Sequence, residues 1–369
     1  MRTIYDLVDP SRVSSPALLY YPEIIRENIV KAIEIAGSPQ RLWPHVKTHK
    51  LPEIVRMQQA AGIERFKCAT IAEAEMLGSC GAREVMVAYP LVGPAVARFL
   101  HLMQRFPDCG WWAVGDSQIA LDELDNQAGV AGLCPNVLID ANMGMNRTGV
   151  PLDELKAFYL AQSARKNLRV RGLHCYDGHL GITDPRERQA KADAAAHTAL
   201  NIRNEILARG VRLDTVVMGG TPSFPCHTGR EDVYFSPGTL FVYDHGYRSK
   251  FADLPFVPGA AILARVISRP ALRMFTLDLG HKGIGADPPD ERGVIVSLPG
   301  ARPVFHSEEH WVFKLEESAT EMPEVGDVLF VIPTHICSTT ALYDEVLAVE
   351  DGQIAETWRI TARGRKITI

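Results

Sequence analysis

The chain has 369 residues, 46% of them hydrophobic and 22% charged, which is longer than a typical single domain and able to bury a full core. A formal net charge of −5 supplies no global field for nucleic acid or an anionic membrane. The first ten residues carry no apolar signal segment, and no apolar run reaches the roughly eighteen residues of a membrane span. A cytoplasmic protein with a small-molecule substrate is therefore expected. The seven cysteines are odd in number, scattered and without a CxxC, which argues against a disulfide scaffold.

From about residue 40 to 245, short β-rich runs alternate with helical stretches. The predicted strands are 42–47, 65–68, 85–89, 111–114, 137–140, 170–175, 215–218 and 233–235. Between them lie segments such as "PAVARFLHLMQRF" and "PLDELKAFYLAQSARK", several opening on Pro or a capping residue and closing in Gly, as helix ends favour. Eight strands with intervening helices is the count of an α/β fold of the (β/α)8 barrel type, with a doubly wound open sheet as the alternative. After about residue 250, "AAILARVISR", "MFTLDLG", "GVIVSL", "HWVFKLEE", "DVLFVIPTHIC" and "EVLAVEDGQIAETWRITAR" read as strands joined by Gly, Pro and Asp turns. A C-terminal antiparallel β domain follows the barrel, and the boundary falls near 245–254. "SSPALLYY" is strand-like and could pair with either domain.

Barrels of this kind place their chemistry on the loops after the strands. Lys47, within "WPHVKTHK", ends the first strand. It could form an imine with a carbonyl group, or be a solvated surface lysine. Lys50 fits the surface reading better, and His45 shares the strand face of Lys47. "GGTPS" (Gly219 to Ser223) and "SPGT" (Ser236 to Thr239) follow strands seven and eight, where backbone N–H groups often hold a phosphate. Gly219 and Gly220 would let the backbone approach closely, and Thr221 and Thr239 could add hydroxyls. Plain turn chemistry is the competing account. In "PTHICSTT", His335 and Cys337 are two apart; on a strand they would share a face, so imidazole and thiolate could converge on one ion.

Taken together, "PHVKTHK", "CATIAEAEML", "GMNRTGV", "GGTPS" and "SPGT" resemble the alanine-racemase-like, fold-type III enzymes that use pyridoxal 5′-phosphate (PLP). "PHVKTHK" and "PTHICSTTALYD" narrow the likeness to the D-threonine aldolase and D-serine dehydratase branch. The resemblance implies a PLP-binding barrel over residues 20–247 and a β domain over 248–369, with 1–19 possibly pairing into it, in a homodimer. It implies that Lys47 is the Schiff-base lysine and that Gly219, Gly220, Thr221, Gly238 and Thr239 hold the phosphate. Arg147 of "GMNR" would lie near the cofactor ring, a rim salt bridge being its other reading. Tyr176 and His174 would project toward the ring or pack the core.

The same resemblance implies a divalent metal on His335 and Cys337. Cysteine at the second ligand matches the dehydratases and, being soft, favours zinc over manganese or magnesium. The overall likeness favours the aldolases. The expected reaction is cleavage of D-threonine to glycine and acetaldehyde; the alternative is dehydration of D-serine to pyruvate and ammonia. An amino-acid racemase and a non-catalytic PLP-binding protein are the rivals. His179 and His49 are candidate bases, and Glu309 and His310 of "SEEHW" are further site candidates or a charged turn.

Overall fold

The computed structural model describes residues 3–288, 291–319, 321–365 and 368. The chain divides into two units. One comprises Ala32–Gly238 with Ala362–Ile369; the other comprises Met1–Lys31 with Thr239–Thr361. The expected division at 247/248 differs from this at both ends of each unit.

In the first unit seven parallel strands lie in sequence order: Arg65–Cys68, Glu84–Val87, Gly110–Gly115, Asn136–Asp140, Arg169–Cys175, Thr215–Met218 and Tyr234–Phe235. The strand expected over 42–47 is reduced to two isolated parallel bridges, Leu42 with Phe235 and His45 with Lys67. These join the last strand to the first and complete the barrel. Pro44 explains the interruption, since it cannot donate to a ladder; its carbonyl still accepts from Lys67 N–H at 2.8 Å. Beyond it the chain tightens into a 3-10 turn over Val46–Thr48, so Lys47 sits on a turn rather than on a strand.

The helices between the strands end where their sequences dictate. Thr70 caps Ile71–Ser79 by accepting from Glu73 N–H, Asp184 caps Pro185–Leu207, and Gly132 closes Gln118–Ala131 in the left-handed conformation. Helix Pro94–Arg105 buries Val96, Phe99, Leu100 and Leu102 along one stripe.

Strand alternation sorts the barrel's side chains. Trp43, Met86, Trp112, Val114, Leu138 and Val217 form one buried cluster, with the Trp43 and Trp112 rings edge-to-face at 5.7 Å. Three polar residues belong to the same strand face. Lys67 pairs with Met86, His174 pairs with Val217, and Asp140 lies two residues beyond Leu138.

The second unit is a mostly antiparallel nine-stranded sheet. Ala260–Ser268 lies at its centre, pairing with Ala17–Tyr20, Met274–Leu277 and Val328–Pro333. Ala17–Tyr20 also pairs in parallel with Glu345–Glu350, so the early strand joins the β unit. The expected strand over 345–363 is a hairpin of Glu345–Glu350 with Gln353–Arg359. Its turn is Asp351-Gly352, both at positive φ, the pairing that two-residue hairpins favour. Among the described residues no helix is long and apolar enough to cross a membrane. The seven cysteines form no disulfide.

Candidate active site

At the C-terminal ends of the barrel strands a cavity of about 590 Å³ opens, within the size range of small-molecule sites. Lys47, Lys67, Arg147, Thr148, His174 and Tyr176 are among its lining residues. The turn carrying Lys47 is held from behind: His45 Nδ1 accepts from Lys47 N–H at 3.3 Å, and His45 N–H donates to Pro237 O at 2.9 Å. A Cβ at Gly238 would come within 3.1 Å of both His45 Cβ and His45 O, so glycine there permits the close approach of the two loops. Arg147 places its guanidinium carbon 5.3 Å from the centre of the Tyr176 ring and, among the described residues, enters no ion pair.

Lys67 is the residue that the motifs did not flag. Its side chain is 2% exposed. Nζ stands 2.7 Å from His174 Nε2 and donates to Ser236 Oγ at 3.0 Å. On its other side His174 Nδ1 lies 2.6 Å from Asp140 Oδ1, and Thr148 Oγ1 donates to Asp140 Oδ2 at 2.7 Å. A carboxylate on Nδ1 fixes the tautomer with Nδ1–H, leaving Nε2 to accept from lysine. Burial, then the neighbouring charge of Lys47, pulls the Lys67 amine down to about 7. Burial and the Lys67 charge hold the His174 imidazole below its ordinary value. For Asp140, burial acts upward but is outweighed by His174 and Thr148, leaving the carboxyl lowered.

The "GGTPS" loop is built on a second buried network. Asp177 Oδ1 accepts from Ser223 Oγ at 2.6 Å and from Gly220 N–H at 3.3 Å, while Asp177 Oδ2 meets His227 Nε2 at 2.6 Å. Gly220 N–H is thus engaged within the chain, by Ser223 Oγ at 2.9 Å as well as by Asp177. Gly219 is required for conformation, at φ +81 with Phe224 Cα 2.8 Å from any added Cβ. Among the described residues the backbone N–H groups of Thr221 and Gly238 meet no acceptor of the chain, although both residues are buried. Two unanswered donors on small-residue loops fit an anionic group such as a phosphate.

Asp177 itself shows what the loop depends on. Burial acts upward on its carboxyl, yet the hydrogen bonds from His227, Ser223 and Gly220 hold it low. Asp177→Ala is expected to destabilise the protein by about 3–5 kcal/mol by orphaning His227 and Ser223, read as a drop in the denaturation midpoint. Because the folded carboxyl titrates below the unfolded one, its stabilisation is present above the unfolded value. It is lost as pH falls through the folded one.

Other expected residues fall elsewhere. His179 is exposed and packs its Nε2 3.3 Å from the Cβ position of Gly144, outside the cavity wall. His49 is fully buried, its Nδ1 accepting from Leu51 N–H at 3.1 Å, and burial pushes it down to about 3; it does not line the cavity. Lys50 is ion-paired with buried Glu73 rather than solvated. In the β unit, Ser307 to His310 of "SEEHW" form the turn between strands Ala301–His306 and Trp311–Leu315, with Glu308, Glu309 and His310 exposed and Lys282 paired to Glu308 at 2.7 Å and Glu309 at 3.6 Å; Trp311 is buried in the strand. That is the charged-turn reading.

His335 and Cys337 are not on a strand. The strand ends at Pro333; His335 stands at the N-cap position of the five-residue helix Ile336–Thr340 without a side-chain capping bond, and Cys337 lies in its first turn. The two side chains still meet, their hydrogen bond being the largest of the influences that lift His335 to about 9, and Asp287 adds to it. Asp287 Oδ2 binds His335 Nδ1, and Oδ1 accepts from Ser338 Oγ at 2.6 Å. A carboxylate on one imidazole nitrogen is how metal-binding histidines are commonly oriented, and imidazole with thiol suits zinc. Among the described residues no group of three or more His, Cys, Asp or Glu side chains is arranged to hold an ion. Thr239 belongs to this unit, its Oγ1 3.6 Å from Cys337 Sγ.

The family model for the alanine racemase N-terminal domain matches residues 22–242, and that for a putative serine dehydratase domain matches residues 259–349. A D-threonine aldolase of Arthrobacter sp. is 31% identical over 340 residues, covering 88% of this chain and 85% of the relative. A 3-hydroxy-D-aspartate aldolase of Paracoccus denitrificans (strain Pd 1222) is 24% identical, covering 97% and 94%. The crystal structure of D-threonine aldolase from Filomicrobium marinum superposes with a TM-score of 0.88 at 28% identity, covering 98% of this chain and 99% of the other. With both halves matched and the fold shared throughout, the chain belongs to the alanine-racemase-like family, in its D-threonine aldolase and D-serine dehydratase branch.

Proposed function

We propose that the protein is a PLP- and divalent-metal-dependent lyase acting on D-3-hydroxy amino acids, and that its reaction is the cleavage of D-threonine to glycine and acetaldehyde. One observation carries the reading: Lys47, Arg147 and Tyr176 line one cavity, in a chain whose similar proteins include aldolases of 3-hydroxy D-amino acids.

Lys47 would hold the cofactor's aldehyde, and the N–H groups of Thr221 and Gly238 would take its phosphate. Bound there, PLP supplies an electron sink for the carbanion released when a bond at Cα breaks. Tyr176 gives the cavity an aromatic wall, and Arg147 gives it a cation at the mouth. Thr148 ties the "GMNRTG" loop to Asp140, so the arginine's loop is anchored to the barrel. A divalent ion on His335 and Cys337, oriented by Asp287, would supply Lewis acidity toward a hydroxyl group. Cys337 favours a second reading, D-serine dehydratase, because cysteine at this ligand matches the resemblance to the dehydratases; its soft thiolate separately selects zinc.

Purified protein supplied with PLP and zinc or manganese is offered D-threonine, D-serine, D-phenylserine and D-3-hydroxyaspartate separately. Glycine with acetaldehyde from D-threonine is the expected result. 2-Oxobutyrate from D-threonine, or pyruvate with ammonia from D-serine, would replace the aldolase assignment by the dehydratase one. Metal-independent racemisation of alanine or serine would replace both.

A further inference from the structure

Two lysines, not one, line the cavity, and only Lys47 belongs to a motif. Lys67 lies inside the barrel on the face that otherwise packs Met86, Trp112 and Leu138. An apolar side chain would serve packing there at no desolvation cost, and a buried ammonium is costly unless it is partnered. The chain provides the partners. His174 and Ser236 take two of its three donor directions, and Asp140 stands behind His174. The ammonium lies 4.8 Å from the centre of the Tyr176 ring, on which the Arg147 guanidinium also rests.

We infer that Lys67 is a binding residue for anionic PLP, held by the His174–Asp140 pair so that uptake of the cofactor is coupled to uptake of a proton. This rests on the reading of Lys47 as the PLP lysine and adds a second amine to it. The charged and titratable groups that face Lys67 are Lys47 and His45 from the turn after the bridges, Asp140 and Arg147 from strand Asn136–Asp140 and the loop after it, and His174, Tyr176 and Asp177 from strand Arg169–Cys175 and the loop after it. Two of the cations, Lys47 and Arg147, oppose the charged form of Lys67, whereas Asp140 and Asp177 favour it. An entering phosphate-bearing anion adds to the favouring side, so Lys67, at about 7 without it, gains a proton on binding.

The test measures PLP binding by equilibrium dialysis, alongside the visible absorbance of the bound cofactor, across about pH 6 to 8, where an amine titrating near neutrality changes charge. The variants are Lys67→Arg and Lys67→Met. For the wild type, affinity is expected to weaken about tenfold over that range as the cation is lost. Lys67→Arg should bind well with that component of the slope removed, since arginine stays charged. Lys67→Met should bind about tenfold more weakly at the acid end, without the slope. The inference is overturned if Lys67→Met matches the wild type in both affinity and slope, or if Lys67→Arg keeps the wild-type slope. The reading of Lys47 fails separately: a wild type that never develops the visible absorbance sinks it, whatever dialysis shows for Lys67.

Discussion

Lys47→Ala is expected to lose the visible absorbance of bound cofactor and to lower turnover by at least ~10³-fold, the scale on which removal of a positioned acid–base or covalent group acts. The expectation comes from placement. Lys47 sits on a turn held by His45 and Pro237 and lines the cavity. Borohydride reduction of the holoprotein followed by peptide mapping should put the pyridoxyl group on residue 47. A label found on Lys67 instead would exchange the roles of the two amines, and no label at all would end the PLP reading. The fold should survive the substitution, since the 3-10 turn is held by backbone bonds and by His45 rather than by the lysine head group.

The second large effect concerns the ion. Removal of divalent metal by a chelator, or His335→Ala, is expected to reduce cleavage of D-threonine by ~10²-fold or more, corresponding to several kcal/mol of lost charge stabilisation. Cofactor absorbance should persist, because His335 belongs to the β unit and Lys47 to the barrel unit. Cys337→Asp is expected to shift the preferred ion from zinc toward manganese or magnesium, oxygen replacing a soft sulfur ligand. If chelation leaves cleavage intact, the metal dependence is wrong; racemisation of alanine or serine that survives chelation would give the racemase reading instead.

The alternation of short β runs with helices was legible because the barrel strands are short apolar runs buried on both faces, whereas an intervening helix buries only a stripe. The strands at 65–68 and 215–218 stand at their expected bounds. Lys47 and the small-residue loops were legible from spacing and from the family likeness together. The first strand was not, because Pro44 removes a donor whose loss matters only once the ladder partners are known. The geometry of His335 and Cys337 was not legible either. The alternation argument presumed that the strand runs on through residue 337, whereas it stops at Pro333 and turns into a helix.

Lys67, Asp140, Asp177 and His227 show the deeper limit. A lysine in a β run reads as a solvated position, and nothing local says that its neighbours across the sheet will be Met86 and, through the barrel interior, His174. The chain by itself determined most of the elements and their order, because those depend on neighbours within a few residues. Which polar groups are buried together, and hence which of them hold charge, was decided only when the parallel strands closed into a ring. Desolvation and hydrogen bonding act through space, between residues as far apart as 67 and 174.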